Sequence, residues 1–414
     1  MNNSNNNLTL WSFLGLWFGA AVSIAEILTG GLLAPLGFKN GLTAIIIGHI
    51  IGTSILVLGG VIGTETRLPS IMSTGISFGK YGACIFSVLN VLQLLGWTAV
   101  MIISGARSVN EITKALWSLD NIYLWSAVIG GLICLWIYFG KEGMKKLNLI
   151  AAVLLFLLTI LLCTVVFRNS RLFSSPGDGS MSFGSAIELN VIMPLSWLPL
   201  IADYTRFAKR KRDGVIGSFL GYFTGSAWMY TIGLGAAIAA GNSDPGAMML
   251  AANLGFTALG IVILSTVTTT FLDAYSAGVT FLNIFPKLNE RKAALFMGAA
   301  GTLIAVIVPI EQYENFLYAI GSVFAPLFAI LLAEYFILKE NKKLQEGLLI
   351  NWGAAAVWIM GVIMYYQFIK LDFVLGATVP VMIITGSLYC LSWKWTRNWR
   401  LLEKQKSCDS SLQI

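Results

Sequence analysis

The sequence predicts an all-α polytopic membrane protein with 12 transmembrane helices. Three observations predict it. Of 414 residues, 57% are hydrophobic and only 11% charged, against roughly a quarter charged in a soluble chain; mean hydropathy is +0.77. The apolar residues gather in runs of the length a span requires, about 20 residues each. The basic residues gather in alternate gaps between those runs. This balance excludes a soluble enzyme, a disordered chain and a collagen-like chain, and it leaves no tract for a sizeable soluble domain.

The elements follow in order. Residues 1–10 are Asn-rich and lack the basic stretch of a cleaved signal peptide, so they read as a cytoplasmic N-terminus. Apolar runs place spans at 11–37, 41–63, 81–106, 122–140 and 147–167, then at 187–205, 214–240, 247–285, 293–310 and 315–338, and finally at 347–369 and 373–393. A cytoplasmic tail covers 394–414. With the N-terminus inside, 21 of the 27 Lys and Arg residues fall on the cytoplasmic side, among them Arg206, Lys209, Arg210, Lys211 and Arg212 after the sixth span. That bias puts both termini in the cytoplasm of a plasma (inner) membrane protein and requires an even number of spans. Trp393, Trp395 and Trp399 suit an interfacial belt at the end of the last span. The net charge of +7 therefore reports orientation, and no nucleic-acid partner is expected. Five scattered cysteines without a CxxC pair read as thiols, not as a disulfide framework. A single histidine, His49, excludes a His-cluster metal site and reads as a ring satisfied by neighbouring groups.

Two spans are flawed, and non-helical backbone survives at membrane depth only where it lines a cavity or is buried in protein. The first, Leu16 to Gly31, combines small residues, a mid-span Glu26 and the Gly30–Gly31 pair. The sixth carries Pro194 and Pro199 around Ser196 and Trp197; each proline removes an N–H and crowds the preceding turn. Pro and Gly are commoner in membrane helices than in soluble ones, but here the flaws fall at equivalent positions of two five-helix halves, 11–167 and 187–338. That pattern implies inverted repeats with substrate and ion held at the breaks.

Polar residues inside the spans supply the candidate site. Ser265, Thr268 and Thr269 lie at i, i+3 and i+4 on one face of the eighth span. They offer hard oxygens to a dehydrated small cation, with carbonyls of the unwound first span completing its shell; their bland reading is helix packing. Glu26 and Asp273 read as the two carboxylates well inside spans, and an intramembrane carboxylate is a functional candidate by default. Asp203 and Arg206 read as an ion pair at a helix end. In the third span, Asn90, Gln93 and Trp97 combine amides with an indole, and Gln93 and Trp97 lie one turn apart. An indole face and an amide match a flat heteroaromatic ring.

These stretches resemble the nucleobase–cation symport family of cytosine permeases and hydantoin and allantoin transporters. The run Trp17-Phe18-Gly19-Ala20-Ala21-Val22-Ser23-Ile24 is similar to the family's opening motif, and Asp203-Tyr204-Thr205-Arg206 to its signature after span six. The run Ala21 to Gly30 is most similar to the hydroxymethylpyrimidine transporter branch, tied to salvage of a thiamine precursor. The resemblance implies a LeuT-type fold, ten core helices in two inverted five-helix repeats with discontinuous helices 1 and 6, plus two C-terminal helices. It implies sodium as the coupling ion, held by the carbonyls of Ala21 and Ile24 and by Ser265, Thr268 and Thr269, and a substrate-stacking role for Trp97. The second stacking position falls near Pro194, with Trp197 one turn later. The family's polar residue in span eight, often Asn, falls near Asp273 and Ala274, a departure that implies a different ring.

The expected substrate set is thus Trp97, Gln93, Trp197, Glu26, Asp273, Asn90 and Ser196. The expected activity is sodium-coupled import of a pyrimidine-type base, hydroxymethylpyrimidine first, with a cytosine or other nucleobase or hydantoin permease, proton-coupled in place of sodium, as the alternative, by a monomer needing no cofactor beyond the coupling ion. A channel would show a repeated filter or a ring of pore charges, and an intramembrane enzyme a motif such as HExxH or GxSxG. Neither is present in the sequence.

Overall fold

The computed structural model describes residues 8–139, 144–168, 170–282, 284–285, 287–307, 313–340, 342–345 and 347–402. The expected N-terminal residues 1–7, the tail beyond Leu402, Lys141 and Cys408 lie outside the described residues.

The first span is two helices. Thr9 caps α1 (Leu10–Ala21) through a reciprocal bond with Ser12. The chain leaves helical geometry at Val22 and Ser23, and the Ser23 hydroxyl then accepts the Glu26 N–H to start α2 (Ile24–Leu32). After a 3₁₀ turn at Ala34–Leu36 come α3 (Gly37–Thr66), α4 (Ser70–Ser73), α5 (Gly75–Trp117), α6 (Ile122–Phe139) and α7 (Met144–Val166). The second half repeats the pattern. Its broken span is α8 (Phe183–Leu195) and α9 (Leu198–Thr205), followed by α10 (Lys211–Ala240), α11 (Pro245–Ala251), α12 (Gly255–Leu282), α13 (Glu290–Ile307) and α14 (Tyr313–Leu332). The chain closes with α15 (Trp352–Leu371) and α16 (Thr378–Thr396). Among the described residues, seven stretches are long and apolar enough to cross a membrane by length and composition.

The breaks sit where the local chemistry is weakest. Pro194 and Pro199 each deny the helix a donor, and the chain turns between them at Ser196–Trp197. In the first span the Gly30–Gly31 pair is helical, contrary to its reading as part of the flaw; the break lies at Val22–Ser23. Gly30 instead lets α2 touch α10, for a Cβ there would stand 2.3 Å from the Tyr230 carbonyl oxygen.

Other expectations are corrected. The span expected over 247–285 is interrupted at 252–254, where Asn253 takes φ +58°, a left-handed conformation that Asn tolerates better than most residues. The third span is longer than 81–106, since α5 runs from Gly75 through a non-helical Gly79. The all-α pattern has one paired exception among the described residues: β1 (Leu348–Asn351) pairs antiparallel with β2 (Arg400–Leu402), so the helix of the span expected from 347 starts only at Trp352.

The broken first span packs along a glycine groove on α10. A Cβ at Gly217 would stand 2.6 Å from the Leu10 carbonyl oxygen, at Gly221 2.5 Å from that of Leu14, and at Gly233 2.1 Å from that of Ile27. In lipid, where apolar side chains gain nothing from leaving water, close backbone approach through small residues is the main source of helix association. Both halves of the first span are thereby seated on one helix.

Two fully buried carboxylates tie the C-terminal pair to the core. Glu188 of α8 accepts from Tyr365 (2.5 Å), the Ala377 and Thr378 N–H groups (2.7 and 2.8 Å) and the Thr378 hydroxyl (2.7 Å). Glu334, beyond α14, accepts from Tyr389 of α16 at 2.6 Å. Glu26 and Asp273 are thus not the two intramembrane carboxylates of the chain. Glu188 and Glu334 lie in spans as well, and both serve packing.

Candidate functional site

The two breaks face α5 and α12 across a narrow buried cavity with about 30 Å³ of water-accessible space. Its wall includes Glu26, Gln93, Trp97, Ser196, Trp197 and Asp273, six of the seven substrate residues expected from sequence, together with Thr269. Apolar Leu94, Met101, Met193 and Leu200 complete it. They went unnoticed in the sequence because nothing distinguishes them from lipid-facing neighbours.

Asn90 does not line this cavity. It is fully buried one turn before Gln93, and its Nδ2 points to the Thr280 hydroxyl at 3.4 Å. Helical geometry explains the difference, for a residue three positions before Gln93 sits a turn nearer the end of the span.

Each cavity side chain is held by a distinct element. Trp97 is 8% exposed. Its ring is braced edge-on by Phe316 (centroids 5.4 Å) and Tyr313 (6.3 Å) of α14. Gly96 makes room for this brace, since a Cβ there would meet the Phe316 ring at 2.2 Å. Trp197 stands at the second break and is braced edge-on by Trp17 of α1 at 5.7 Å. Gln93 donates from Nε2 to the Ser196 carbonyl at 2.6 Å, spanning from α5 to the break. Its Oε1 is buried without a partner among the described residues. The Ser196 hydroxyl is spent on the Met193 carbonyl at 2.7 Å, so Ser196 offers the cavity little hydrogen-bonding capacity.

The two carboxylates differ sharply. Glu26 accepts from the Tyr222 hydroxyl (3.0 Å) and the Ser226 hydroxyl (2.6 Å) of α10. Ser226 in turn meets His49 Nε2 at 2.6 Å, and His49 Nδ1 donates to the Ile45 carbonyl at 2.9 Å. His49 is therefore satisfied by its neighbours, as its sequence context implies. Asp273 is 7% exposed, faces the cavity, and has no hydrogen-bond partner among the described residues. A buried carboxylate is stable only when paired or hydrogen-bonded, so Asp273 is the group in the cavity that most requires a ligand with donors.

The proposed cation ligands lie beside the cavity. Ala21 and Ile24 flank the first break and are buried, as are Ser265 and Thr268. Thr268 donates its hydroxyl to the Ser265 carbonyl at 3.1 Å, leaving the hydroxyl oxygen's lone pairs available. The hydroxyls of Ser265 and Thr269 have no hydrogen-bond partner among the described residues. Uncharged oxygens are the donor chemistry that suits a hard cation.

The cavity is closed on both sides. Toward the termini, Leu8 exchanges backbone bonds with Phe207 and Lys209 (3.3 and 3.0 Å). Arg67 there donates to the Arg206 and Ala208 carbonyls (2.5 and 3.0 Å). The expected Asp203–Arg206 pairing is replaced: the Asp203 carboxylate accepts the Ser70 N–H at 2.9 Å, and Arg206 donates to the Asp203 carbonyl at 3.1 Å. Toward the opposite face, Thr29 and Tyr313 are hydrogen-bonded at 2.7 Å.

The comparisons with known proteins agree with this architecture. The profile of the family described as "Permease for cytosine/purines, uracil, thiamine, allantoin" matches residues 1–394. The chain belongs to that permease family. It is 26% identical to the cytosine permease of Escherichia coli (strain K12) over 398 residues, covering 91% of this chain and 90% of the relative. It is 22% identical to the allantoin permease of Bacillus subtilis (strain 168) over 436 residues, covering 92% and 86%. Among solved structures it is similar to the inward-facing conformation of Mhp1, with a TM-score of 0.81 at 18% identity, covering 98% of this chain and 96% of that one. This permease-family protein is an all-α integral membrane protein with the LeuT-type arrangement that the family resemblance implies.

Proposed function

We propose that the protein is a cation-coupled importer of a flat aminopyrimidine, with cytosine as the favoured substrate. The observation that carries this reading is the unpartnered Asp273 carboxylate, which shares a buried cavity with the Trp97 indole and the free Gln93 carbonyl. A carboxylate accepts well from the exocyclic amine of cytosine, and an adjacent ring nitrogen, when protonated, makes the contact charge-assisted. Gln93 Oε1 accepts a further ring N–H. Trp97 supplies the stacking face, which tolerates any planar base, so the polar edge sets the choice. Glu26, already engaged by Tyr222 and Ser226, positions the first break and is the weaker candidate for reading the base.

Hydroxymethylpyrimidine presents the same amino-and-nitrogen edge, but the similarity to a cytosine permease favours the cytosine alternative over it. Sodium is the proposed coupling ion, held by the carbonyls of Ala21 and Ile24 and by Ser265, Thr268 and Thr269. We place both termini in the cytoplasm on the distribution of Lys and Arg, and the working unit is a monomer.

The test is a thermal-shift panel on the full-length protein with cytosine, hydroxymethylpyrimidine, hydantoin, allantoin and adenine, each with and without sodium. A ligand that binds only the folded state raises its apparent stability by mass action. Cytosine is expected to give the largest shift, and only with sodium present. A larger shift from hydantoin, allantoin or adenine contradicts the aminopyrimidine assignment.

A further inference from the structure

Beyond the Thr29–Tyr313 pair, on the face opposite the termini, lies an open vestibule of about 650 Å³. Its inner end is a separate pocket of about 220 Å³ that shares Leu32, Asn242, Ser243 and Glu314 with it. This inner pocket is not part of the cavity described above. Its polar lining comes from three elements and the loop before α11: Ser104 and Arg107 of α5, Asp244 at the cap of α11, and Glu314 of α14. Leu28, Leu32, Pro245 and Tyr313 give it apolar walls.

Ser104 marks the pocket as more than a crevice. The residue is 2% exposed and lines the pocket, and its hydroxyl has no hydrogen-bond partner among the described residues. A buried hydroxyl left unpaired is unfavourable, so a ligand with a matching group is favoured there. The mixed signs of the lining argue against a bare metal cation, which Arg107 repels. They match a molecule carrying both donors and acceptors: Asp244 and Glu314 accept from amino and ring N–H groups, and Arg107 donates to a carbonyl. Apolar walls and the Tyr313 ring suit a flat body between those edges.

We infer that this pocket is a second, weaker binding station for the same class of amino- and carbonyl-bearing heteroaromatic ring, one step outside the central cavity. The inference rests on the transport reading above but on different residues. Tyr313 joins the two places. Its hydroxyl bonds Thr29, it lines the outer pocket, and its ring meets the edge of Trp97 at 6.3 Å. Tyr313 thus stands between a ring held at Arg107 and Glu314 and the Trp97 indole.

The experiment is calorimetric titration of the full-length protein in nanodiscs with cytosine, at saturating sodium. Wild-type protein is expected to show a tight and a weak class of site. Trp97→Ala weakens the tight class roughly 5- to 150-fold and leaves the weak one unchanged. Glu314→Gln and Ser104→Val, made separately because either could disturb packing, remove the weak class, keep the tight one, and slow its association several-fold. A wild-type isotherm with a single site, left unchanged by Glu314→Gln and Ser104→Val, overturns the outer station and leaves the cavity assignment standing. A weak class that survives in the wild type while the tight class is missing supports the outer station and contradicts the cavity assignment instead.

Discussion

At the scale of single residues, the account turns on three side chains with different tasks. Trp97 contributes area: stacking of a base on an aromatic side chain is worth about 1–3 kcal/mol by alanine substitution, or roughly 5- to 150-fold in affinity. Trp97→Ala is expected to weaken base binding within that range while the protein still inserts and folds, as equilibrium binding on purified protein will read. Asp273 contributes selectivity. Asp273→Asn keeps the volume and adds a donor where only acceptors are useful, so cytosine binding is expected to fall while sodium-dependent stabilisation of the empty protein persists. An unaltered preference for cytosine in that variant would remove Asp273 from the site. Thr268→Val and Thr269→Val keep shape but delete an oxygen. Each is expected to raise the sodium concentration at half-maximal base binding, and an unchanged sodium requirement in both would reject them as ligands. Much of this residue-scale picture is legible in the sequence, because a carboxylate, an amide and an indole inside apolar spans have few bland explanations. Asn90 misleads for a simple reason: its helical face resembles that of Gln93 in projection, and only the packed structure shows it buried against Thr280.

At the scale of elements, the breaks and the glycine groove decide the architecture. The position of the first break is written in Ser23 and Glu26, an S-x-x-E pattern that starts helices; the Gly30–Gly31 pair draws attention away from it. The second break is legible from its two prolines. The turn at 252–254 is harder to see, because an Asn in an otherwise apolar run is a weak stop signal. Glu188 escapes notice since it is the second residue of its expected span, where a charge reads as interfacial. Its role is testable. Glu188→Ala leaves the Ala377 and Thr378 N–H groups buried without an acceptor, each at a cost of about 1–3 kcal/mol, and thermal unfolding in detergent is expected to show a clear loss of stability. On α10, Gly221→Val drives a side chain into the Leu14 carbonyl. Overpacking of this kind costs about 1–3 kcal/mol. The variant is expected to separate α1 from α10 and abolish sodium-dependent binding, whereas Gly131→Val, at a position with open space around its Cβ, is expected to leave binding intact.

At the scale of the whole molecule, the arrangement is a cavity closed from both faces, with hydrogen bonds and no covalent barrier on either side. Leu8, Arg67 and the loop after α9 close the face carrying the N-terminus, and Thr29–Tyr313 closes the other. Each closure is made of a few bonds worth about 0.5–1.5 kcal/mol net apiece, small enough for binding of an ion and a base to shift the balance between them. The central claim is coupled transport of an aminopyrimidine. It is tested most directly by uptake of radiolabelled cytosine into proteoliposomes under an inward sodium gradient. The account predicts saturable accumulation above the external concentration that collapses when potassium replaces sodium. Uptake that rises linearly with cytosine concentration, or that proceeds equally without the sodium gradient, would contradict it.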